Sequence, residues 1–199
     1  MRFNCLRTDL SNAVSNVSRA VAAKSTLPAL EGVLIKAYGS QLEICGYDLE
    51  IGIVTTVEAS VSEEGEIVVS ARLFNEIIRK LPEEIVNIET DDKMITYINS
   101  GAADYQIVGM NSSEYPELPN VEEISGLTIN AEILKNMIRQ TVFAVSDNMA
   151  KPIYTGSLFE IEDRIFRIVA VDGFRMAIRE ENVDSDIEAK FVVSGKTQN

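Results

Sequence analysis

The chain has 199 residues and 22.0 kDa, enough for two compact domains, and its 46% hydrophobic and 25% charged content with 5 Pro and 11 Gly excludes intrinsic disorder and collagen-like structure. Eighteen Lys and Arg against 31 Asp and Glu leave a net charge of −13, so the averaged field repels nucleic acid and anionic lipid, and any role on DNA needs locally segregated positive charge. Histidine is absent, which removes Ser-His-Asp triads, Cys-His pairs and His-ligated zinc.

In chain order the pattern predicts an alternating strand from Met1 to Leu6 and a helix from Thr8 to Ala22. Three strands follow, near Gly32 to Ala37, Gln41 to Cys45 and Leu49 to Val57. The series then restarts, with a strand from Glu66 to Ser70, a helix from Ala71 to Lys80, and strands near Ile85 to Glu89, Met94 to Asn99 and Tyr105 to Val108. Tyr38-Gly39-Ser40, Asp91-Asp92-Lys93 and Ser100-Gly101 supply the hairpin turns. The stretch Asn111 to Gly126, with Pro116, Pro119, Glu122 and Glu123, has neither period and is read as a linker, after which a helix is predicted over 131–145. Each unit is thus two βαβββ modules. Cys5 and Cys45 stand alone and are read as small buried apolar residues. No P-loop, dinucleotide fingerprint or EF-hand loop occurs, so neither a cofactor nor a metal is expected. No apolar run approaches the roughly 20 residues of a membrane helix, and MRFNCLRTDL lacks the apolar core of a signal peptide, so a cytoplasmic protein is expected.

The chain matches itself without gaps at an offset of 124 residues. Pro28, Gly32, Leu34, Ile44 and Asp48 reappear as Pro152, Gly156, Leu158, Ile168 and Asp172, and Val68-Val69-Ser70 reappears as Val192-Val193-Ser194. Residues 1–75 and 125–199 share 14 identities, where average composition gives roughly 5. The apolar stripe repeats as well: Leu10, Ala13, Val14, Val17, Ala20 and Val21 answer to Leu134, Met137, Ile138, Thr141, Ala144 and Val145. A second unit of 75 residues stops short of the 124 in the first, at the counterpart of Asn75, so the expectation is a piece lacking at least 49 residues of that unit. Asp48 and Asp172 suggest a carboxylate pair for hydrolysis or metal binding. Equivalent positions in turns, where Asp bonds its own backbone, argue instead for one structural role used twice.

The three predicted helices carry Arg19, Arg72, Arg79, Lys80, Lys135 and Arg139 against Asp9, Glu76 and Glu132, whereas the rest of the chain is acidic. One reading is a solvated surface with cations drawn to the C-terminal turns by the helix dipole. The other is that the helices face a polyanion and the acidic sheets face away from it.

Several motifs resemble the bacterial sliding-clamp family, the beta subunit of DNA polymerase III. They are the opening Met1-Arg2-Phe3 before an amphipathic helix, Thr26-Leu27-Pro28-Ala29-Leu30-Glu31-Gly32, Gly46-Tyr47-Asp48-Leu49-Glu50, Val69-Ser70-Ala71-Arg72, Tyr115-Pro116-Glu117-Leu118-Pro119, and Val169-Ala170-Val171-Asp172-Gly173-Phe174-Arg175-Met176-Ala177. The resemblance implies an α+β DNA clamp fold with helices on one face and antiparallel sheets on the other. It implies a first clamp domain at 1–120, a truncated second at 121–199, and a third that is absent. The implied function is a non-enzymatic processivity factor, a homodimeric ring when full length, that encircles double-stranded DNA without reading its sequence. Its implied partners are the polymerase III alpha subunit, the clamp loader and other proteins with a clamp-binding motif.

By resemblance Lys24 and Arg72 point toward DNA, Lys196 is the repeat counterpart of Arg72, and Arg19, Arg79, Lys80, Lys135 and Arg139 join them from the helix faces. Tyr154, Val171, Gly173, Phe174, Arg175 and Met176 match a client-peptide pocket, with Val171 and Phe174 standing where the commoner family pattern has Thr and His. Val171 and Met176 equally suit an ordinary strand core. Leu73, Ile77, Tyr105 and Ile107 match the ring-closing interface. The competing classes are a cleft enzyme using carboxylates or Lys and an interaction module unconnected with DNA.

Overall fold

Arg2–Leu6 alternates outward and inward side chains as a half-buried strand must, burying Phe3 and Cys5. It is β1 of a unit spanning Met1–Pro119; a second unit spans Asn120–Asn199. The computed structural model describes residues 1–119, 126–148 and 150–198.

In the first unit β1 leads into α1 (Arg7–Val17), β2 (Gly32–Tyr38), β3 (Gln41–Tyr47), β4 (Gly52–Glu58), β5 (Ser60–Glu63), β6 (Gly65–Ser70), α2 (Ala71–Lys80), β7 (Ile85–Thr90), β8 (Ile95–Ser100) and β9 (Ala103–Val108). The strands form two sheets, β5-β1-β7-β8-β9 and β4-β3-β2-β6, antiparallel throughout. The two modules therefore exchange strands: β1 opens the first module but lies in the second module's sheet, and β6 does the reverse. Leu10, Val14 and Val17 of α1 and Phe74 and Ile78 of α2 share one core with Val33, Ile35, Ile44, Ile67, Val86, Ile88 and Ile98 from both sheets. Each large side chain buried there contributes roughly 1.5–3 kcal/mol. Burial pushes the Cys5 thiol up to about 12, so it behaves as an apolar residue.

The second unit has α3 (Ala131–Thr141), β10 (Gly156–Glu162), β11 (Ile165–Val171), β12 (Met176–Asn182), β13 (Ala189–Ser194) and the short α4 (Gly195–Gln198). Its sheet order, β12-β11-β10-β13, reproduces β4-β3-β2-β6. The register repeats residue for residue: Gly32 faces Ser70, Leu34 faces Cys45 and Cys45 faces Val54, while Gly156 faces Ser194, Leu158 faces Val169 and Val169 faces Ile178. The offset of 124 read from the sequence is therefore a structural repeat.

The first and third helices end earlier than predicted. α1 stops at Val17 and continues as a 3₁₀ turn, Ser18–Ala20, because the Ser18 hydroxyl donates to the Val14 carbonyl at 2.6 Å and competes with the helical ladder. α3 stops at Thr141, whose hydroxyl donates to Met137 at 2.8 Å, and a 3₁₀ turn spans Val142–Ala144. The strand expected from Leu49 begins at Gly52, since Asp48 to Ile51 form a turn. β5 was not anticipated; it is a short edge strand with the acidic sequence Ser60-Val61-Ser62-Glu63. The predicted linker is in part structural. Met110 pairs with Val68, Ser112–Glu114 makes a 3₁₀ turn, and Tyr115 is buried on the outer face of the β4-β3-β2-β6 sheet with Leu34, Cys45 and Val68. Its remainder, residues 120–125 with Glu122 and Glu123, lies outside the described residues. Among the described residues no helix is long and apolar enough to cross a membrane.

Gly32 and Gly156 explain one pair of matched glycines. A Cβ on Gly32 would lie 2.8 Å from the Val69 carbonyl oxygen, and one on Gly156 2.5 Å from that of Val193. Gly32→Ala and Gly156→Ala are each expected to cost their own unit about 1–3 kcal/mol, read from urea unfolding followed by a probe placed in each unit.

Candidate functional site

α1 and α2 lie side by side, and Ser15 Oγ is 3.4 Å from Asn75 Oδ1 across their junction. With Leu10, Ala13, Val14 and Val17 of α1 and Ala71, Phe74 and Ile78 of α2 turned inward, the outward residues are Thr8, Asp9, Asn12, Ser15, Asn16 and, past the helix end, Arg19 on one side, and Arg72, Leu73, Glu76, Arg79 and Lys80 on the other. Lys24 is exposed in the loop after the 3₁₀ turn. Arg72 Nε lies 3.5 Å from Glu76 Oε1, and Arg72 also lines a cleft of about 690 Å³ with Ser18, Val21, Ala23, Glu31 and Asn75. The strands of this unit expose acids instead: Glu58, Glu63, Glu66, Glu89 and Asp104. Within this unit the strand surface is thus mainly acidic, with the exposed Arg2 of β1 paired to Glu89 at 2.6 Å. In the second unit Lys135 and Arg139 are exposed on α3, Arg139 bonding Asn136 at 3.0 Å, and Lys196 is exposed on α4.

The second candidate site is the β11–β12 turn. Asp172 Oδ1 accepts the backbone N–H groups of Phe174 at 2.9 Å and Arg175 at 3.0 Å, while its own N–H donates to the Arg175 carbonyl. Asp48 makes the same turn with Glu50 at 3.0 Å and Ile51 at 2.8 Å. Each carboxylate therefore organises its own loop, as the duplicated positions suggested. The N–H of Phe174, then that of Arg175 and the Arg175 side chain, hold the Asp172 carboxyl below its ordinary range.

The Asp172 turn lifts Phe174 clear of the protein at 100% exposure and leaves Met176 exposed, so Met176 is not a core residue. Val171 is half-buried and faces Met176 across the β11–β12 ladder, and Gly173 takes the left-handed conformation with φ +93° that suits glycine. Arg175 bonds Asp172 Oδ2 at 2.8 Å and lies 5.7 Å from the Phe143 ring centroid. Tyr154 sits on the separate 3₁₀ turn Pro152–Thr155 with Lys151 over its ring at 5.8 Å. Phe143 is the residue the sequence reading missed. Its signal is a break in the repeat, since its counterpart in the first unit is the charged Arg19.

In the first unit the equivalent turn is closed. Leu118 lies against Gly52 and Tyr47, and a Cβ on Gly52 would meet Leu118 at 2.5 Å. Met176 replaces that glycine in the second unit. Of the residues assigned to ring closure, Leu73 and Tyr105 are exposed and Ile77 is half-buried, with β9 at a sheet edge. Ile107 packs in the core at 8% exposure, on the same face of β9 as the exposed Tyr105, and Val108 projects from the other face.

Duplicated modules whose helices cover one side of antiparallel sheets define a protein of the DNA clamp fold. The chain belongs to the DNA polymerase III beta subunit family: the model of the N-terminal domain matches residues 1–119 and that of the central domain matches 128–199. The beta sliding clamp of Halalkalibacterium halodurans is 39% identical over 100% of this chain and 56% of its own length, and that of Bacillus subtilis 35% over 99% and 55%. The crystal structure of the Bacillus subtilis DNA polymerase sliding clamp covers the whole chain with a TM-score of 0.92 at 34% identity, and that of the Thermotoga maritima beta subunit covers 99% with 0.85 at 30%. The chain spans about half the length of the curated relatives it matches.

The Asp172 turn carries a pH signature. A carboxyl whose folded value is depressed stabilises the fold fully above the unfolded Asp value of about 3.9, and that contribution is lost as pH falls through the folded value. In an NMR titration the amide resonances of Phe174 and Arg175 should therefore shift with a midpoint below about 3.9, and in Asp172→Ala they should exchange with solvent faster at every pH.

Proposed function

We propose that the protein of which this chain forms part is a processivity factor, a ring that encircles duplex DNA and tethers a polymerase without catalysing a reaction itself. The observation that carries this reading is the charge division within the first unit, with Arg19, Arg72, Arg79 and Lys80 on the helix side and mainly acids on the strands. A sliding ring must not read bases, because each specific contact of about 1–3 kcal/mol would hold it at one site. Diffuse attraction to phosphates centres a duplex without trapping it, and acidic sheets keep DNA from lying along the outside. Lys24, Arg72, Arg19, Arg79 and Lys80, with Lys135, Arg139 and Lys196 in the second unit, are the proposed DNA-facing cations.

The proposed client pocket uses Tyr154, Val171, Gly173, Phe174, Arg175 and Met176. The full exposure of Phe174 and the exposure of Met176 support it, since they present apolar surface that the chain itself leaves uncovered. The polymerase III alpha subunit, the clamp loader and other proteins with a clamp-binding motif are the proposed occupants. Leu73, Ile77, Tyr105 and Ile107 belong to the proposed ring-closing interface of a homodimer. The domain scheme, 1–120 and a truncated 121–199 with a third domain elsewhere in the polypeptide, and the cytoplasmic location belong to the same reading.

The test is loading of the full-length protein onto DNA with clamp loader and ATP. Retention on circular DNA and loss from linear ends is the expected result; equal retention on both removes topological binding. This chain by itself, with no closed ring and a net charge of −13, should bind duplex weakly at physiological salt, and a salt-resistant nanomolar complex would contradict the proposal. Phe174→Ala in the full-length protein should weaken client-peptide binding in calorimetry and leave the fold unchanged.

A further inference from the structure

Tyr154 and Arg175, two residues of the proposed client pocket, stand on different elements, and one short segment supports both. Thr141 ends α3 by donating its hydroxyl to the carbonyls of Met137 at 2.8 Å and Ile138 at 3.2 Å. The chain then tightens into the 3₁₀ turn Val142–Ala144, closed by the Val145 N–H on the Val142 carbonyl at 3.1 Å. Ala144 is buried, and Phe143, one residue earlier, is turned outward at 56% exposure. The Ser146 N–H donates to the Tyr154 carbonyl at 2.8 Å, which ties the Tyr154 turn to the same segment.

From that support Phe143 reaches the Asp172 turn. The Arg175 guanidinium carbon lies 5.7 Å from the centre of the Phe143 ring, while Arg175 Nε donates to Asp172 Oδ2 at 2.8 Å. A single Nε bond lets the rest of the guanidinium pivot about it, and the aromatic ring supplies a second point of attachment. Among the described residues neither Nη of Arg175 makes a hydrogen bond, and its side chain is 58% exposed, so those donors stay available to a bound segment. In the first unit the same two positions hold Arg19 and Ile51, with no aromatic ring, so this arrangement belongs to the unit that carries the client residues.

We propose that Phe143 is a positioning residue of the client pocket. Its ring holds the Arg175 guanidinium so that the Nη groups meet an acceptor oxygen, carbonyl or carboxylate, of the bound segment. An arginine held in place beforehand loses less side-chain freedom on binding than one that swings in solvent. The proposal rests on the reading of the Asp172 turn as the client pocket.

Calorimetry of the full-length protein with a synthetic peptide carrying the clamp-binding motif of the alpha subunit tests it, with Phe174→Ala as the marker of the pocket itself. Phe143→Leu keeps an apolar side chain at an exposed position and should weaken the peptide about fivefold, the scale of a partly desolvated cation–π contact. Phe143→Trp should keep the native affinity. In an Arg175→Met background, itself weaker than native, Phe143→Leu should cost nothing further, because the group it positions is gone. A loss that persists undiminished beside Arg175→Met, or that Phe143→Trp shares, would overturn the proposal and make Phe143 a packing residue. If Phe174→Ala weakens the peptide and Phe143→Leu does not, the role of Phe143 falls alone. If neither changes the affinity, the pocket reading falls and takes this role with it.

Discussion

A helix layer can cover only one face of an antiparallel sheet, and the architecture follows from that limit. Strand alternation sends Val33, Ile35, Ile44, Ile67 and Val69 toward α1 and α2, and sends Leu34, Cys45 and Val68 the other way. The second set must be wetted, covered or used. In the first unit the Met110–Leu118 strap covers it, and the charged pair Lys36 and Glu43, 3.4 Å apart, takes the wetted part. In the second unit the wetted part is a larger network, with Arg167 bonded to Glu160 at 2.7 Å and to Glu180 at 2.5 Å and Lys190 bonded to Glu160 at 2.8 Å. The exchange of β1 and β6 between modules then ties both sheets to the same helix layer, so neither module completes its sheet alone.

Duplication preserved the backbone of the Asp turn and changed what it carries. Asp48 and Asp172 bind equivalent amides, yet the residues that follow diverge: Leu49 with φ +76° against Gly173 with φ +93°, Glu50 against Phe174, Gly52 against Met176. The first set lets Leu118 close over the turn. The second puts a full aromatic side chain into solvent, its apolar surface uncovered by the described residues. A non-glycine residue at positive φ, as at Leu49, carries a modest strain that the two amide bonds to Asp48 offset.

Much of this was legible in the sequence because its signals are local or repeated. Helix α2 was placed at its observed ends by apolar spacing alone, and the hairpin turns at Gly39 and Gly101 by turn chemistry. The gapless offset of 124 translated directly into strand register. What was not legible depends on partners distant in sequence. The strand exchange is invisible because β1 meets β7 some eighty residues later. The strap looked like a linker because its Tyr115 is buried by residues from three other strands. The helix ends were overextended because Ala20 and Ala144 stay buried after the backbone has tightened to 3₁₀, so the apolar stripe outlasts the helix.

The charge of α2 separates the two readings of the helix cations. A macrodipole favours cations in the last turn, which accounts for Arg79 and Lys80 there and for Arg139 near the end of α3. It disfavours a cation in the first turn, and α2 has no acid there but does have Arg72. Its i,i+4 partner Glu76 stands in the less favourable order, cation before anion, and the pair is solvent-exposed, so it returns at most a few tenths of a kcal/mol. Helix stability therefore does not explain Arg72. Its exposed side chain adds to the charge of Arg79 and Lys80 on the same helix, with Glu76 between them.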